Sequence, residues 1–173
     1  MRGVLRALVF CTLLASPVQA ARQRPGPPAL SVRLEGLFGQ PTGLLGVRGG
    51  GAIGLGYRLT DQLALVGDAA QRAGPGGGIR SLALGIQATL DATPIAPYIE
   101  LCVVNLGPQD TLGYSLATRT GLGADYHLTG AWATGLVLRT LIALDPVTDR
   151  RGNLVTSGGT EVALRFTFTP GAR

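Results

Sequence analysis

The chain has 173 residues, 46% of them hydrophobic and 14% charged, with a formal net charge of +5 and a pI near 10.0. All fifteen basic residues are arginines, spread along the chain with no helical stripe or cluster, so the basic balance does not describe a nucleic-acid binder. Two cysteines, one of them in a leader segment, exclude an internal disulfide framework as the source of stability.

Residues 1–20 read as a secretory signal peptide. Met1-Arg2-Gly3-Val4-Leu5-Arg6 is a short basic start, Ala7 to Ala15 an apolar run, and Ser16-Pro17-Val18-Gln19-Ala20 a cleavage region ending after Ala20. Phe10 precedes Cys11 where a lipoprotein would need a small residue. Removal of the leader leaves Cys102 as the one thiol, and thirteen arginines against ten acidic residues, a mature net charge of +3. Residues 21–28, rich in proline and without periodicity, read as an extended linker.

Eight segments of period-two alternation follow, over residues 29–169. The first, Leu30 to Phe38, sets Leu30, Val32, Leu34 and Phe38 against Ser31, Arg33 and Glu35. The second, Gly46 to Leu59, sets Ile53, Leu55 and Tyr57 against Arg48, Gly54 and Arg58. After a tight Thr60-Asp61 turn, the third, Leu63 to Arg72, opposes Leu63 and Leu65 to Asp68 and Arg72. The fourth, Ile79 to Leu90, opposes Leu82, Leu84 and Ile86 to Ser81, Gln87 and Thr89. The fifth, Pro97 to Asn105, opposes Ile99, Leu101 and Val103 to Glu100 and Cys102. The sixth starts near Tyr114 and ends in Leu122, Ala124, Tyr126 and Leu128, against Gly121, Gly123, Asp125 and His127. A Thr129-Gly130 turn returns the chain into the seventh, with Trp132, Thr134, Leu136 and Leu138 against Ala133, Gly135, Val137 and Arg139. The eighth, Glu161 to Phe168, sets Val162, Leu164, Phe166 and Phe168 against Glu161, Ala163 and Arg165. Residues 170–173 form a short tail.

Three patterns turn these segments into an expectation of an all-β, eight-stranded antiparallel up-and-down transmembrane β-barrel. Short turns alternate with looser Gly- and Pro-rich connections, the longest of them Asp145 to Gly159. The aromatics gather near strand ends, where Tyr57, Tyr126, Trp132, Phe166 and Phe168 suit an interfacial girdle. The charges share one parity: Arg33, Glu35, Arg48, Arg58, Asp68, Glu100, Arg119, Asp125, Arg139, Glu161 and Arg165 would form a paired network inside the tube. Glycines of the same parity, among them Gly54, Gly56, Gly85, Gly121 and Gly135, make room for the arginines. Eight strands enclose an interior that side chains can fill.

The hairpin Gly-Leu-Gly-Ala-Asp-Tyr-His-Leu-Thr-Gly-Ala-Trp, the Ala-Pro-Tyr-Ile-Glu-Leu entry to the fifth segment and the closing Val-Ala-Leu-Arg-Phe-Thr-Phe resemble the OmpA/OmpX-like small outer-membrane β-barrels of Gram-negative bacteria. The resemblance spans roughly residues 29–168. It implies a cell-envelope location, both termini in the periplasm, and insertion by the barrel-assembly machinery, which reads a last strand such as Val162, Leu164, Phe166 and Phe168. The tail after Phe168 departs from the family, whose members usually end at the aromatic.

No catalytic set is visible. His127 shares a face with Asp125, but Ser115 and Ser81 stand toward the opposite strand ends, and a lumen histidine beside a charge is the favoured reading. One histidine and one mature cysteine do not make a transition-metal site, and no cofactor is expected. Asp110, Asp145 and Asp149 read as solvated loop carboxylates, and Arg150-Arg151 as loop charges able to meet lipopolysaccharide phosphates. The expected function is a non-enzymatic, monomeric outer-membrane scaffold or loop-presenting protein, whose partners are the lipid bilayer and lipopolysaccharide, with no role for nucleic acid. Two alternatives stand beside it: a small barrel that transports a hydrophobic molecule or modifies lipid A, and a soluble periplasmic lipocalin-like barrel with its apolar rows turned inward.

Overall fold

A computed structural model describes residues 29–42, 46–74, 77–90, 94–109, 114–148, 152 and 154–170. The leader, the proline-rich linker, Asp110, Asp149, Arg150, Arg151 and residues 171–173 lie outside the described residues. Eight strands, β1 (Leu30–Pro41), β2 (Arg48–Arg58), β3 (Leu63–Ala73), β4 (Ile79–Thr89), β5 (Ile95–Pro108), β6 (Ser115–His127), β7 (Trp132–Thr148) and β8 (Leu154–Phe168), form one closed barrel. Every strand pairs antiparallel with its sequence neighbour, and β1 closes the ring on β8 from Val32↔Phe168 to Pro41↔Gly159. The eight alternating segments of the sequence are these eight strands.

Alternation sets the two faces. Leu34, Ile53, Leu84, Leu101, Leu122 and Leu138 point outward and are more than half exposed, while Arg33, Glu35, Glu100, Arg119, Arg139 and Arg165 point inward and are buried. This inverts the distribution of a soluble protein. Each large aliphatic left in water forgoes about 1.5–3 kcal/mol, and thirty of the described large apolar side chains are exposed together. Such an exterior is matched to hydrocarbon, and closure leaves no backbone donor at a free sheet edge there. It also removes the lipocalin-like alternative, which requires the apolar rows inside.

Two short turns at one end, the turn end, share a construction. In Leu59-Thr60-Asp61-Gln62-Leu63 the Thr60 hydroxyl accepts from the amides of Gln62 (3.2 Å) and Leu63 (3.0 Å), and Leu59 N–H donates to the Leu63 carbonyl at 2.8 Å. In Leu128-Thr129-Gly130-Ala131-Trp132 the Thr129 hydroxyl accepts from Ala131 (3.2 Å) and Trp132 (3.1 Å), and Leu128 N–H donates to the Trp132 carbonyl at 2.9 Å. Threonine here satisfies two amides that a hairpin of this length leaves over.

The opposite, loop end differs from the expected layout between the last two strands. The alternation predicts a loop from Asp145 to Gly159, but β7 continues to Thr148 and β8 begins at Leu154. The ladder runs to Ile142↔Gly158, shifts register and resumes at Val147↔Thr156. Asp145-Pro146 breaks the alternation, and the shift, beside Gly158 and Gly159 at φ of 138° and 155°, absorbs the extra residues. A pattern read strictly at period two ends at such a bulge although the hairpin does not. As a result Val147 and Thr156 turn inward and are buried.

Candidate functional site

The lumen has three levels. At mid-height two carboxylates, Glu35 of β1 and Glu100 of β5, are clamped by Arg139 of β7 and Arg165 of β8. Arg139 donates to Glu35 through both terminal nitrogens (Nη1–Oε2 2.5 Å, Nη2–Oε1 2.9 Å) and to Glu100 Oε1 through Nε. Arg165 Nε donates to Glu35 Oε1 at 2.8 Å, its Nη2 to Glu100 Oε2 at 3.0 Å and its Nη1 to Gln87 Oε1 at 3.2 Å. Arg33 reaches the same Gln87 oxygen at 3.2 Å, and the Arg165 guanidinium lies 4.7 Å over the Tyr98 ring.

Two further ion pairs extend this cluster. Arg119 of β6 grips both oxygens of Asp68 on β3, with Nη1–Oδ1 at 3.0 Å, and its Nε is 3.5 Å from Glu100. Toward the loop end Arg72 holds Glu161 bidentately at 2.7 and 3.0 Å, while its Nη1 donates to Ser81 Oγ at 2.8 Å. Arg139–Glu100, Arg165–Glu100, Arg165–Gln87, Arg33–Gln87, Arg119–Asp68 and Arg72–Glu161 join strands that are not neighbours, so the network braces the tube across its diameter. A planar guanidinium can grip one carboxylate with two parallel N–H bonds and still reach a second, a fixed geometry that the point-like ammonium of lysine does not offer, and every basic residue of this chain is arginine.

Glycine positions shape the network. A Cβ on Gly121 would sit 2.6 Å from Glu100 Cγ, and one on Gly56 would sit 2.5 Å from Arg33 Nη2. The vacated space thus serves carboxylates as well as arginines, and Gly85 and Gly123 do the same for Cys102 and Tyr98. On the inner face β2 supplies Arg48 near the loop end and glycines below it.

Toward the loop end the lumen also holds an apolar cluster, in which Ile79, Val104, Leu106, Ala117 and the inward Val147 pack together beside the Arg72–Glu161 pair. Below the ion pairs it opens at the turn end as a vestibule of about 510 Å³, lined among others by Arg33, Arg58, Asp125 and His127. The lumen is therefore stopped at its centre and loop end and open at its turn end.

The eleven charges singled out in the sequence distribute unevenly over this arrangement. Arg33, Glu35, Asp68, Glu100, Arg119, Arg139, Glu161 and Arg165 come together in the bonds just described. Arg48 is buried further up, beside Arg72 and Glu161 in a small loop-end cavity. Arg58 departs from the expected network: it is exposed in the vestibule, because it ends β2 one residue before the turn. Asp125 also departs, standing half-buried at the vestibule wall between Ala96 and Gly135 of the neighbouring strands, with Oδ1 lacking a hydrogen-bond partner. Arg72, Gln87 and Tyr98 join the network beyond the eleven, and the inner parity they share with them is the signal that marks them in the sequence. His127 is exposed at the turn end, whereas Ser81 is bound by Arg72 and Ser115 Oγ donates to the Asp145 carbonyl at the loop end.

On the outer face Tyr57, Tyr126, Trp132 and Phe168 stand at the turn end, with Trp132 and Phe168 rings 4.6 Å apart, and Phe166 lies one pleat inward. Phe38 and Tyr114 stand at the loop end.

No protein-family model matches the chain, and no curated protein matches it in sequence. Solved structures do. The N-terminal β-barrel domain of Pseudomonas aeruginosa OprF is 19% identical at a TM-score of 0.57, covering 80% of this chain and 96% of that one. Neisserial surface protein A, NspA, is 12% identical at a TM-score of 0.61, covering 84% and 99%. A de novo designed transmembrane β-barrel is 15% identical at 0.56, covering 85% and 98%. At these identities the likeness is one of fold, and it agrees with the apolar exterior, the braced interior and the unbroken ring of strands. The chain has the fold of the small eight-stranded outer-membrane β-barrels that its sequence resembles.

Proposed function

We propose that this protein is a non-enzymatic, monomeric outer-membrane barrel that acts as an envelope scaffold and presents its loop end to partners, with both termini in the periplasm. The observation that carries the reading is the cross-lumen set of Glu35, Glu100, Arg139 and Arg165, which fills the tube where a channel would need water. Eight strands put both chain ends on the side of the short turns, and the apolar, aromatic last strand from Val162 to Phe168 suits recognition by the barrel-assembly machinery. The bilayer surrounds the barrel, and lipopolysaccharide is its partner in the outer leaflet.

A barrel that passes a hydrophobic molecule sideways needs a gap between strands, and all eight neighbouring pairs are laddered, the β1–β8 seam over ten residue pairs. Lipid A chemistry at an outer rim needs a base near a hydroxyl, and His127 is a barrel's height away from Ser115. The test is extraction from the outer-membrane fraction followed by electrophoresis with and without boiling, then solute release from vesicles carrying the refolded protein. A heat-dependent band shift with no release supports the reading, and release of small sugars at porin-like rates refutes it.

A further inference from the structure

The vestibule at the turn end holds one charge of each sign that the lumen network leaves over. Arg72, Arg119, Arg139 and Arg165 each grip a carboxylate, whereas Arg33, also buried, donates to the neutral Gln87 oxygen and makes no ion pair with a described residue. Asp125 makes neither an ion pair nor a hydrogen bond among the described residues, and its Oδ1 is buried. The two line the same cavity without meeting, Arg33 from β1 and Asp125 from β6. The row of paired residues that runs from Arg33 back to β6 passes through Thr167 and Ala133 to His127, one pleat nearer the mouth than Asp125, so small side chains keep the space between the two charges open. One pleat deeper than Asp125, the space that Gly123 leaves is taken by the Tyr98 hydroxyl, buried and likewise without a partner. Arg58, Asp61 and His127 stand exposed nearer the mouth. A buried carboxylate oxygen without a donor and a buried guanidinium without a carboxylate are both costly, and both stand at the edge of one cavity that opens to water.

We propose that the vestibule binds a small zwitterion, an amino acid or dipeptide, with its carboxylate on Arg33 and its ammonium on Asp125. A guanidinium presents only donors and an ionised carboxylate only acceptors, so a ligand carrying one of the two charges satisfies one group and leaves the other as it was. The volume of about 510 Å³ suits a ligand of this size, and Ser31, Thr89 and Thr167 supply hydroxyls for a peptide unit. The central ion pairs close the floor, so the ligand enters and leaves by the turn end and does not cross the barrel. The site itself goes beyond the scaffold reading, and only its access from the periplasm rests on that reading.

The test is saturation-transfer NMR of the refolded protein in a nonionic detergent, titrated with alanyl-alanine, with its N-acetylated form, with its C-terminal amide and with acetate. Electrophoresis with and without boiling reports the fold of each variant. Saturable binding of alanyl-alanine is expected, weakened about ten-fold by either cap, the size of one lost charge-assisted contact. Asp125→Asn should weaken the free dipeptide to the same degree and the N-acetylated form no further, and Arg33→Gln should do the same for the free dipeptide and the amide. The capped dipeptides carry the test on the unmodified protein if Arg33→Gln does not fold. No saturable binding of the free dipeptide, or equal binding of the free and capped forms, overturns the proposal. Acetate bound as tightly as the dipeptide also overturns it, by making Arg33 a plain anion site. Labelling of Gly130→Cys in intact cells by a membrane-impermeant maleimide would instead overturn the periplasmic placement, which the binding measurements do not touch.

Discussion

Arg139 and Glu35 are 104 residues apart in sequence and on strands that do not pair, yet two hydrogen bonds join them inside the lumen. Glu35 also receives Arg165, so one carboxylate secures two guanidinium groups from the last two strands to the first. Glu35→Ala strips a partner from both buried cations and should lower stability by about 3–5 kcal/mol, the cost of breaking a buried pair from one side. Urea titration of the barrel in lipid vesicles, followed by the heat-dependent band shift, measures it. A midpoint within error of the unmodified protein would mean that the network does not brace the tube.

Gly121 and Gly36 test what the glycines do. A methyl on Gly121 would press on Glu100, so Gly121→Ala should cost about 1–3 kcal/mol. A methyl on outward Gly36 meets nothing within 4 Å, so Gly36→Ala should be neutral or gain up to about 1 kcal/mol through a less flexible unfolded chain. The same urea titration compares them, and equal effects would refute a packing role for the inner glycines.

Leu84 is the sixth of the eleven residues of β4 and 69% exposed on the outer face. Leu84→Arg at mid-membrane should cost about 2–4 kcal/mol or block insertion. Normal assembly of this variant would mean that the outer face does not meet lipid.

Cys102 lies inside the barrel, buried, with its sulfur 3.5 Å from Arg119 Nη2. A charged maleimide should leave the folded protein unlabelled and react with one thiol per mature chain after boiling in detergent. Labelling of the folded form at the unfolded rate would show a lumen open to water at its centre, and two thiols after unfolding would show a retained leader.

Trp132 stacks against Phe168 on the outer face at the turn end. Its fluorescence should shift to the blue on insertion and be quenched more by a quencher near the lipid headgroups than by one at the bilayer centre. Stronger quenching from the centre would displace the girdle and with it the depth of the barrel.

Much of this architecture is legible in the residues alone because a strand has a period of two. Leu82, Leu84 and Ile86 against Ser81 and Gln87 fix which side of β4 meets which medium, and the polar outline of the lumen follows without coordinates. The exceptions arise where period two is locally broken or where an element stops. The bulge beyond Ile142 hides the continuation of β7 and β8, and the end of β2 at Arg58 releases into the vestibule a charge that shares the inner parity.

Pairing within the lumen is a different kind of information. Parity says that Arg139, Arg165, Arg119 and Arg72 face inward, but which carboxylate each one meets depends on closure of β1 on β8 and on the stagger of eight tilted strands around the axis. The amino-acid sequence by itself determined the strand number, the two faces and the choice of arginine for the interior. Only the tertiary structure decided that Glu35 and Glu100 sit at the centre, that Asp125 stands aside, and that Val147 caps the loop end, because each of these is set by contacts across the barrel or between neighbouring strands rather than along one of them.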